Sequence, residues 1–178
     1  MPLIGLLSDS HGRAPTTQRG VDLLLDGGAE LLLHLGDVGT VEVIDALCTP
    51  KPGSNEPVPA QLVFGNTDWD IAALSAYAQD LGIGVDHPSG VIDLTGRGPA
   101  DLSGQLVFCH GHEHSPMAGA IDDGARYLCH GHTHTCIDER QGQTRVINPG
   151  ALFRADTYTV ALLNTDNDEL TRITVPPI

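Results

Sequence analysis

Basic residues are scarce in this chain of 178 residues. Lysine and arginine number 9 against 23 acidic residues, the formal net charge is −14, and Lys51 is the only lysine. A surface this acidic repels nucleic-acid backbones and anionic membranes. The chain also lacks a basic strip interleaved with aromatic residues, as binding of long single strands would require. We therefore expect a small-molecule partner rather than long nucleic acid or a membrane, and a homo-oligomer is possible.

Cysteines are few and show no CxxC pair or disulfide-dense spacing. The four are Cys48, Cys109, Cys129 and Cys136. The first apolar run, Leu3–Leu7, is too short for a signal peptide or a membrane span and leads directly into a polar motif. These features predict reduced thiols in a soluble cytoplasmic protein. Cys109 lies within an apolar run and is expected to be a core residue rather than a ligand.

No internal repeat, low-complexity tract or linker interrupts the chain, so we treat residues 1–178 as one domain. The first half contains three short apolar runs, each followed by a loop and a helical pattern. These runs predict buried strands over Leu3–Leu7, Leu31–Leu35 and Leu62–Phe64. Three strand–loop–helix units in succession are typical of an α/β domain with parallel strands. The proline-rich loop 49–59 either shapes a site or crosses the surface.

The second half is richer in strands. Strands are predicted over Val91–Leu94, Gln105–Cys109, Tyr127–Cys129, Cys136–Asp138, Thr144–Ile147, Tyr158–Leu163 and Leu170–Val175. A short helix is expected over Met117–Ile121, and the polar run 164–168 is a plausible hairpin turn. Strands of this number after the βαβ units indicate a second sheet packed on the first.

Seven potential metal ligands occur in five short motifs, and most follow a predicted strand. They are Asp9, His11, Asp37, Asn66, His110, His132 and His134. In open α/β sheets, sites form beyond the carboxyl ends of the strands, so these side chains are expected at one edge. The spacing of two residues in the first and last pairs would place both side chains on one side of an extended segment.

This ligand set is too large for one tetrahedral ion but suits two ions that share a carboxylate, about 3.5–4 Å apart. Mixed nitrogen and oxygen ligands without thiolate favour manganese, iron, zinc, nickel or cobalt over calcium or magnesium. Two divalent ions outweigh the carboxylates of Asp9 and Asp37, so the pocket would be positive inside an acidic protein. A metal-bridging hydroxide could then attack phosphorus in line.

The five motifs together resemble the signature of the calcineurin-like metallophosphoesterases, and the length resembles their small bacterial and archaeal phosphodiesterases. The motifs are Asp9-Ser10-His11, Gly36-Asp37, Gly65-Asn66-Thr67-Asp68, His110-Gly111-His112 and Gly131-His132-Thr133-His134, with Asn148-Pro149-Gly150 similar to the family's C-terminal turn. The resemblance implies a four-layer α/β/β/α sandwich of two mixed sheets, and frequent use of manganese. It also implies a ligand arrangement: Asp9, His11 and His134 on one metal, Asn66, His110 and His132 on the other, and Asp37 bridging.

One motif departs from the family pattern. Many relatives carry a histidine, thought to protonate the leaving oxygen, where this chain has Thr67. Protonation must then come from His112 or water, or be unnecessary, which favours leaving groups of low pKa such as aryl or nucleotide esters. We take His112 and Asn66 as candidate catalytic residues, and Arg13 and His112 as candidate substrate contacts. Arg13 is a candidate because arginine can bind phosphate through two parallel hydrogen bonds.

Each residue also has a simpler interpretation. Asp9 or Asp37 alone suits a turn or a helix cap, and His112 suits a structural role. Arg13 and Arg154 suit either a phosphate contact or a surface ion pair. His34 is expected to pack behind the site. The spacing of Thr67 and Asp70 is that of a capping box.

The ordered set of motifs predicts a binuclear, metal-dependent phosphodiesterase with monoesterase capacity, acting on a small phosphorylated compound. Three alternatives stay open. They are a non-catalytic scaffold of the same fold, a nuclease of the superfamily, and a single-metal hydrolase.

Overall fold

The computed structural model describes residues 3–95 and 104–177. Within these ranges the elements are, in chain order, β1 (Leu3–Leu7), α1 (Ala14–Asp26), β2 (Leu31–Leu35), α2 (Val41–Ala46), β3 (Ala60–Val63), α3 (Ile71–Asp80), β4 (Gly84–Val85), β5 (Ser89–Asp93), β6 (Gln105–Cys109), α4 (His114–Asp122), β7 (Tyr127–Cys129), β8 (Ile137–Gln141), β9 (Thr144–Asn148), β10 (Thr159–Asn164) and β11 (Glu169–Thr174).

The strands form two mixed sheets. The first has the order β11-β10-β1-β2-β3-β4, with parallel pairing from β1 to β4 and antiparallel pairing of β10 with both β1 and β11. The second has the order β5-β6-β7-β9-β8, in which β6, β7 and β9 are parallel and the two edge strands are antiparallel. This confirms the expected α/β fold with two mixed sheets.

Three apolar layers separate the sheets and helices. Leu24, Ile44 and Leu74 of the first three helices pack on one face of the first sheet. The other face of that sheet meets the second sheet through the core that contains Leu33 and Phe108. On the far side, α4 packs against β6 and β7. The central strands are therefore buried on both faces, which explains their uninterrupted apolar runs and completes the predicted four-layer α/β/β/α sandwich.

The structure differs from the sequence-based prediction in the path of the last two strands. They do not extend the second sheet but return to the first, where Leu6 of β1 pairs with Ala161 of β10. The two-residue strand β4 was not predicted, and β3 begins two residues earlier than expected. The hairpin turn at 164–168 is confirmed by the pairing of Asn164 with Glu169.

Cys109 is 2% exposed, which confirms its assignment to the core. Across the described ranges, every helix is too short or too polar to cross a membrane.

Candidate metal centre

The loops that follow β1 and β2 are joined by backbone hydrogen bonds. The N–H groups of Asp9, His11 and Gly12 donate to the carbonyl groups of Gly36, Asp37 and Val38, respectively, at 2.8–3.0 Å. Because the two loops are paired residue by residue, the side chains of the first motif have a defined position relative to Asp37.

The expectation of extended segments at the paired ligands is wrong. Asp9, His11, Asp37, His132 and His134 all have positive φ, between 44° and 66°. The left-handed conformation is uncommon for residues other than glycine and costs about 1–2 kcal/mol per residue. Such residues concentrate at functional sites, where the surrounding structure holds them in place. Tight turns, and not strand alternation, therefore set the directions of the side chains in each pair.

Five of the seven predicted ligands form two overlapping groups. In each group the potential ligand atoms lie within 4.8 Å of one another: Asp9, His11 and His134 in one, Asp9, Asp37 and His110 in the other. His134 Nε2 lies 3.2 Å from Asp9 Oδ1 and 3.4 Å from His11 Nε2. Asp37 Oδ2 lies 3.3 Å from His11 Nε2 and 3.4 Å from His110 Nε2, so it stands between the two groups.

The remaining two predicted ligands lie beside these groups. The backbone N–H of His132 donates to Asp9 Oδ2 at 3.0 Å, and its ring stands 5.1 Å from that of His110. Asn66 is exposed at the end of the loop after β3, next to Thr67, whose N–H donates to Asp37 Oδ1 at 3.0 Å. Metal ligation by all seven residues stays a prediction.

The donor atoms fit a cation. Asp9 Oδ1 and His110 Nε2 are buried and lack a hydrogen-bond partner among the described residues, an arrangement that is costly unless something binds them. His110 Nδ1 donates to the carbonyl of Leu35 at 2.8 Å, and His134 Nδ1 donates to that of Arg154 at 3.3 Å. These bonds select the tautomer whose Nε2 lone pair points into the centre, as in metal-binding histidines.

Two opposing effects shift the pKa values at the centre: burial disfavours charge, as in the lowered pKa of His11, and attraction between carboxylates and imidazoles favours it. Burial tends to raise the pKa of Asp37, but His110 and the Thr67 N–H outweigh burial and hold that pKa well below its ordinary value. Burial raises the pKa of Asp9, although His110, Ser8 and His134 act in the opposite direction. Burial lowers the pKa of His110, and the carboxylate of Asp37 more than reverses this effect. A cation between the two carboxylates would stabilise both in their ionised forms.

Two glycines make room for the carboxylates. A Cβ atom on Gly65 would overlap the side chain of Asp37, and one on Gly131 would overlap Ser8 and approach Asp9. The backbone of the third and fifth motifs therefore contacts the carboxylates so closely that only glycine fits.

The comparisons with known proteins agree with this geometry. Residues 3–168 match the model of the calcineurin-like phosphoesterase superfamily domain. The chain belongs to this superfamily. It is 26% identical to phosphodiesterase MJ0936 of Methanocaldococcus jannaschii over 173 residues, which cover 96% of this chain and 97% of that protein.

Solved structures of other proteins share the fold. A structure described as a novel archaeal phosphodiesterase has a TM-score of 0.80 and 24% identity, covering 97% of this chain and 99% of that one. Yfce, a phosphoesterase from E. coli, has a TM-score of 0.62 and 19% identity, with 98% and 100% covered. Vps29 from Entamoeba histolytica, solved with Zn²⁺, has a TM-score of 0.59 and 17% identity, with 98% and 99% covered.

In and just after the third motif, the predicted role as a helix N-cap is confirmed for Asp70 and wrong for Thr67. Asp70 is the N-cap residue of α3 and accepts a hydrogen bond from the N–H of Ala73 at 3.1 Å. Thr67 belongs to the site instead, with its hydroxyl 3.4 Å from His11 Nδ1. Asp68, which has no histidine to orient, accepts hydrogen bonds from the N–H groups of Val38, Gly39 and Gly65 at 3.2, 2.7 and 2.8 Å.

His112 lies at the edge of the candidate metal centre. Its ring is 5.3 Å from that of His110 and 6.2 Å from that of His132, and its side chain is 24% exposed. Burial, followed by the effect of His110, lowers its pKa. The position allows contact with a bound substrate, and the catalytic role stays a prediction.

Two further histidines lie behind the centre. His34 is fully buried, accepts a hydrogen bond from the Gly36 N–H at 3.3 Å, and donates to Ser10 Oγ at 2.8 Å. This confirms that His34 packs behind the site. His130 is also buried and donates to the carbonyl of Gly131 at 3.0 Å.

Phe153 adjoins the centre and was not recognised from the sequence. Its ring lies 5.0 Å from that of His11, and the Arg13 guanidinium lies over it at 4.7 Å. The sequence signal was weak, because an apolar residue shortly after a turn resembles any core residue. The sequence pointed to Asn148 only because Asn148-Pro149-Gly150 resembles the family's C-terminal turn. Its amide donates to the carbonyl of Gly131 at 2.7 Å and so holds the fifth motif.

Proposed function

We propose that this protein is a cytoplasmic, binuclear phosphodiesterase with monoesterase capacity that acts on a small phosphorylated compound. The observation that carries the proposal is the position of Asp37, whose Oδ2 atom lies between His11 and His110. These histidines belong to the two different ligand sets that the family resemblance implies. One carboxylate oxygen between two sets of donors is the arrangement that a bridging ligand requires.

The metals would be two divalent ions, with manganese preferred and iron, zinc, nickel or cobalt as alternatives. A ligand set of imidazole nitrogens and carboxylate or amide oxygens, without thiolate, supports these metals. Asp9, His11 and His134 would hold one ion, Asn66, His110 and His132 the other, and Asp37 both. When bound, the ions would supply Lewis acidity and a water of lowered pKa.

The protein groups have separate tasks in this proposal. The carbonyl groups of Leu35 and Arg154 hold His110 and His134 in the required tautomer. The N–H groups of His132 and Thr67 orient the carboxylates of Asp9 and Asp37. Asn66 and His112 would contact the phosphoryl oxygens, and His112 would be the candidate donor to the leaving oxygen.

Two features support the class of substrate and the compartment. The net charge of −14 disfavours long nucleic acid, while two ions would make the pocket itself attractive to a small anion. All four cysteines are free thiols, as expected in a reducing compartment.

The test is hydrolysis of bis(4-nitrophenyl) phosphate and 4-nitrophenyl phosphate by protein purified with supplied Mn²⁺. We expect hydrolysis of both, with the diester faster, and a loss of at least about a hundredfold in kcat/KM for Asp37→Asn. Asp26→Asn, at an exposed position of α1, is the matched control and should retain full activity.

Two results would contradict the proposal. Failure to hydrolyse any aryl phosphate with added Mn²⁺ would favour the non-catalytic scaffold. Rapid degradation of single-stranded DNA would instead favour the nuclease.

A further inference from the structure

Two arginines and one phenylalanine form a cluster beside the centre. The guanidinium carbons of Arg13 and Arg154 lie over the Phe153 ring, 4.7 and 5.0 Å from its centroid. We call this the Arg–Phe–Arg cluster. The same ring stands 5.0 Å from the His11 ring, so only one phenyl group separates the two cations from a predicted metal ligand.

The two arginines of this cluster carry positive charge in a chain that has only 9 basic residues against 23 acidic ones. Among the described arginines, Arg140 and Arg145 pair with a carboxylate. Within ranges 3–95 and 104–177, neither Arg13 nor Arg154 lies within 4 Å of a carboxylate oxygen. Two like charges on one ring repel each other, and an anion bound to both would relieve that repulsion.

The contact with Phe153 leaves N–H donors of both guanidinium groups available to a ligand. Each guanidinium carries five N–H donors, and a ring contact does not engage them all. The contact also restricts rotation of a long side chain, so less entropy is lost when a ligand binds. Planar, oriented donors of this kind match the oxygens of a phosphate.

The backbone of Arg154 ties the cluster to the His11–His134 side of the centre. Arg154 has φ of +48°, a conformation that its side chain does not favour. In this conformation its carbonyl accepts the hydrogen bond from His134 Nδ1 at 3.3 Å, while its guanidinium reaches Phe153. One residue therefore orients a predicted metal ligand and also places a cation beside it.

We propose that the Arg–Phe–Arg cluster is a subsite for a second phosphoryl group of the substrate. The preferred substrates are then phosphoesters that carry a further, uncleaved phosphate, with the scissile ester at the centre and the second phosphate on Arg13 and Arg154. This inference rests on the proposed function, because it names the substrate class of the same site.

The first experiment requires no catalysis. Inorganic phosphate is titrated into the metal-free protein, and the arginine Nε–Hε signals are followed by NMR. We expect saturable shifts of the Arg13 and Arg154 signals, and affinity about tenfold weaker in Arg13→Gln and in Arg154→Gln. Arg19→Gln removes an exposed arginine from α1 and is the matched control, with unchanged affinity. Absence of shifts, or equal shifts of Arg19, would overturn the subsite.

The second experiment compares two substrates in the Mn²⁺-loaded protein. They are the 4-nitrophenyl ester of thymidine 5′-phosphate with and without a 3′-phosphate. The 3′-phosphate should raise kcat/KM about tenfold or more, and either arginine substitution should bring the ratio of the two values close to one. Arg19→Gln should keep the wild-type ratio.

The outcomes separate the two proposals. If neither ester is hydrolysed, the proposed function fails, while the phosphate titration still decides the subsite. If both esters are hydrolysed with equal kcat/KM by the wild type, the subsite fails and the function stands. If Arg13→Gln and Arg154→Gln slow both esters equally and keep the wild-type ratio of the two kcat/KM values, the arginines do not bind the second phosphate and the subsite is overturned.

Discussion

Three histidines with left-handed backbone, His11, His132 and His134, show how the centre depends on single residues. The backbone N–H groups of His11 and His132 donate to Asp37 and Asp9 of neighbouring motifs, and the His134 ring donates to a backbone carbonyl. Glycines at the points of closest contact provide the space. Substitutions that shift the backbone at these positions are therefore expected to weaken metal binding more than they destabilise the fold.

Gly65→Ala tests this expectation. The added Cβ would overlap the Asp37 carboxylate, so we expect Mn²⁺ affinity to fall about 10–100-fold, measured by isothermal titration calorimetry. The control is Gly119→Ala on α4, where a Cβ meets no atom within 4 Å. That variant should keep wild-type affinity and gain about 0.5–1 kcal/mol in stability. Equal affinities of the two variants would show that the contact is unimportant.

Thr67 should determine which leaving groups are accepted. With a hydroxyl in place of a histidine, the wild-type rate should fall steeply as the pKa of the leaving alcohol rises. Thr67→His should accelerate alkyl esters up to about a hundredfold and aryl esters much less, while Thr67→Ser should behave as the wild type. The measurement is kcat/KM over a series of substituted aryl and alkyl esters. The steep dependence assumes that His112, the candidate donor, protonates the leaving oxygen less well than a histidine at position 67 would. A wild-type rate independent of leaving-group pKa would contradict this and show that His112 already supplies the proton efficiently.

Loops between elements assemble the centre, and Asp68 is the main connection between two of them. It lies after β3, yet its carboxylate accepts two N–H groups from the loop after β2. It is 5% exposed, so these bonds are protected from water. The relative position of Asp37 and Asn66 therefore depends on this side chain.

Asp68→Asn should lower the free energy of unfolding by about 2–4 kcal/mol, because an amide has one acceptor oxygen for three donors. The measurement is urea-induced unfolding of the metal-free protein. Asp70→Asn, at the exposed cap of α3, should cost less than about 0.5 kcal/mol since asparagine caps equally well. Similar losses in the two variants would contradict the connecting role of Asp68.

The buried His34 on β2 predicts how stability depends on pH. Burial, followed by the effect of His110, lowers the pKa of His34 to about 3. In the unfolded chain the histidine pKa is near 6.5. Between about pH 6.5 and 3 the unfolded chain therefore binds a proton at His34, while the folded protein does not. Stability should therefore be complete above about pH 6.5 and fall as the pH decreases towards 3, by about 2 kcal/mol between pH 7.5 and 5.

Urea unfolding at the two pH values measures this loss. His34→Gln should reduce the difference, and His114→Gln, at an exposed position, should leave it unchanged. Stability that rises on acidification would mean that His34 is protonated in the folded protein.

The elements differ in how well the sequence predicts them. The bounds of β1, β2, β6 and β7 agree with the prediction because each is a mostly apolar run that is almost wholly buried. The return of β10 to β1 joins residues about 155 positions apart and leaves no local pattern. The motifs of the centre were recognisable from their order, whereas the left-handed turns and the role of Phe153 depend on contacts between distant segments.

At the scale of the whole molecule, two packed sheets collect motifs from residues 9 to 134 at one place. The fold buries two carboxylates among imidazoles, and the chain as a whole carries a net charge of −14. Such a molecule is expected to bind cations at the centre before it binds any anionic substrate. A binuclear centre bridged by Asp37 is therefore the central claim.

The most direct test is the number of Mn²⁺ ions bound per chain, determined by elemental analysis after loading and removal of excess metal. We predict two ions in the wild type and at most one in Asp37→Asn, since the bridging ligand is then lost. Asp26→Asn should bind two. A wild-type stoichiometry near zero or of one, or two ions retained in Asp37→Asn, would contradict a binuclear centre bridged by Asp37.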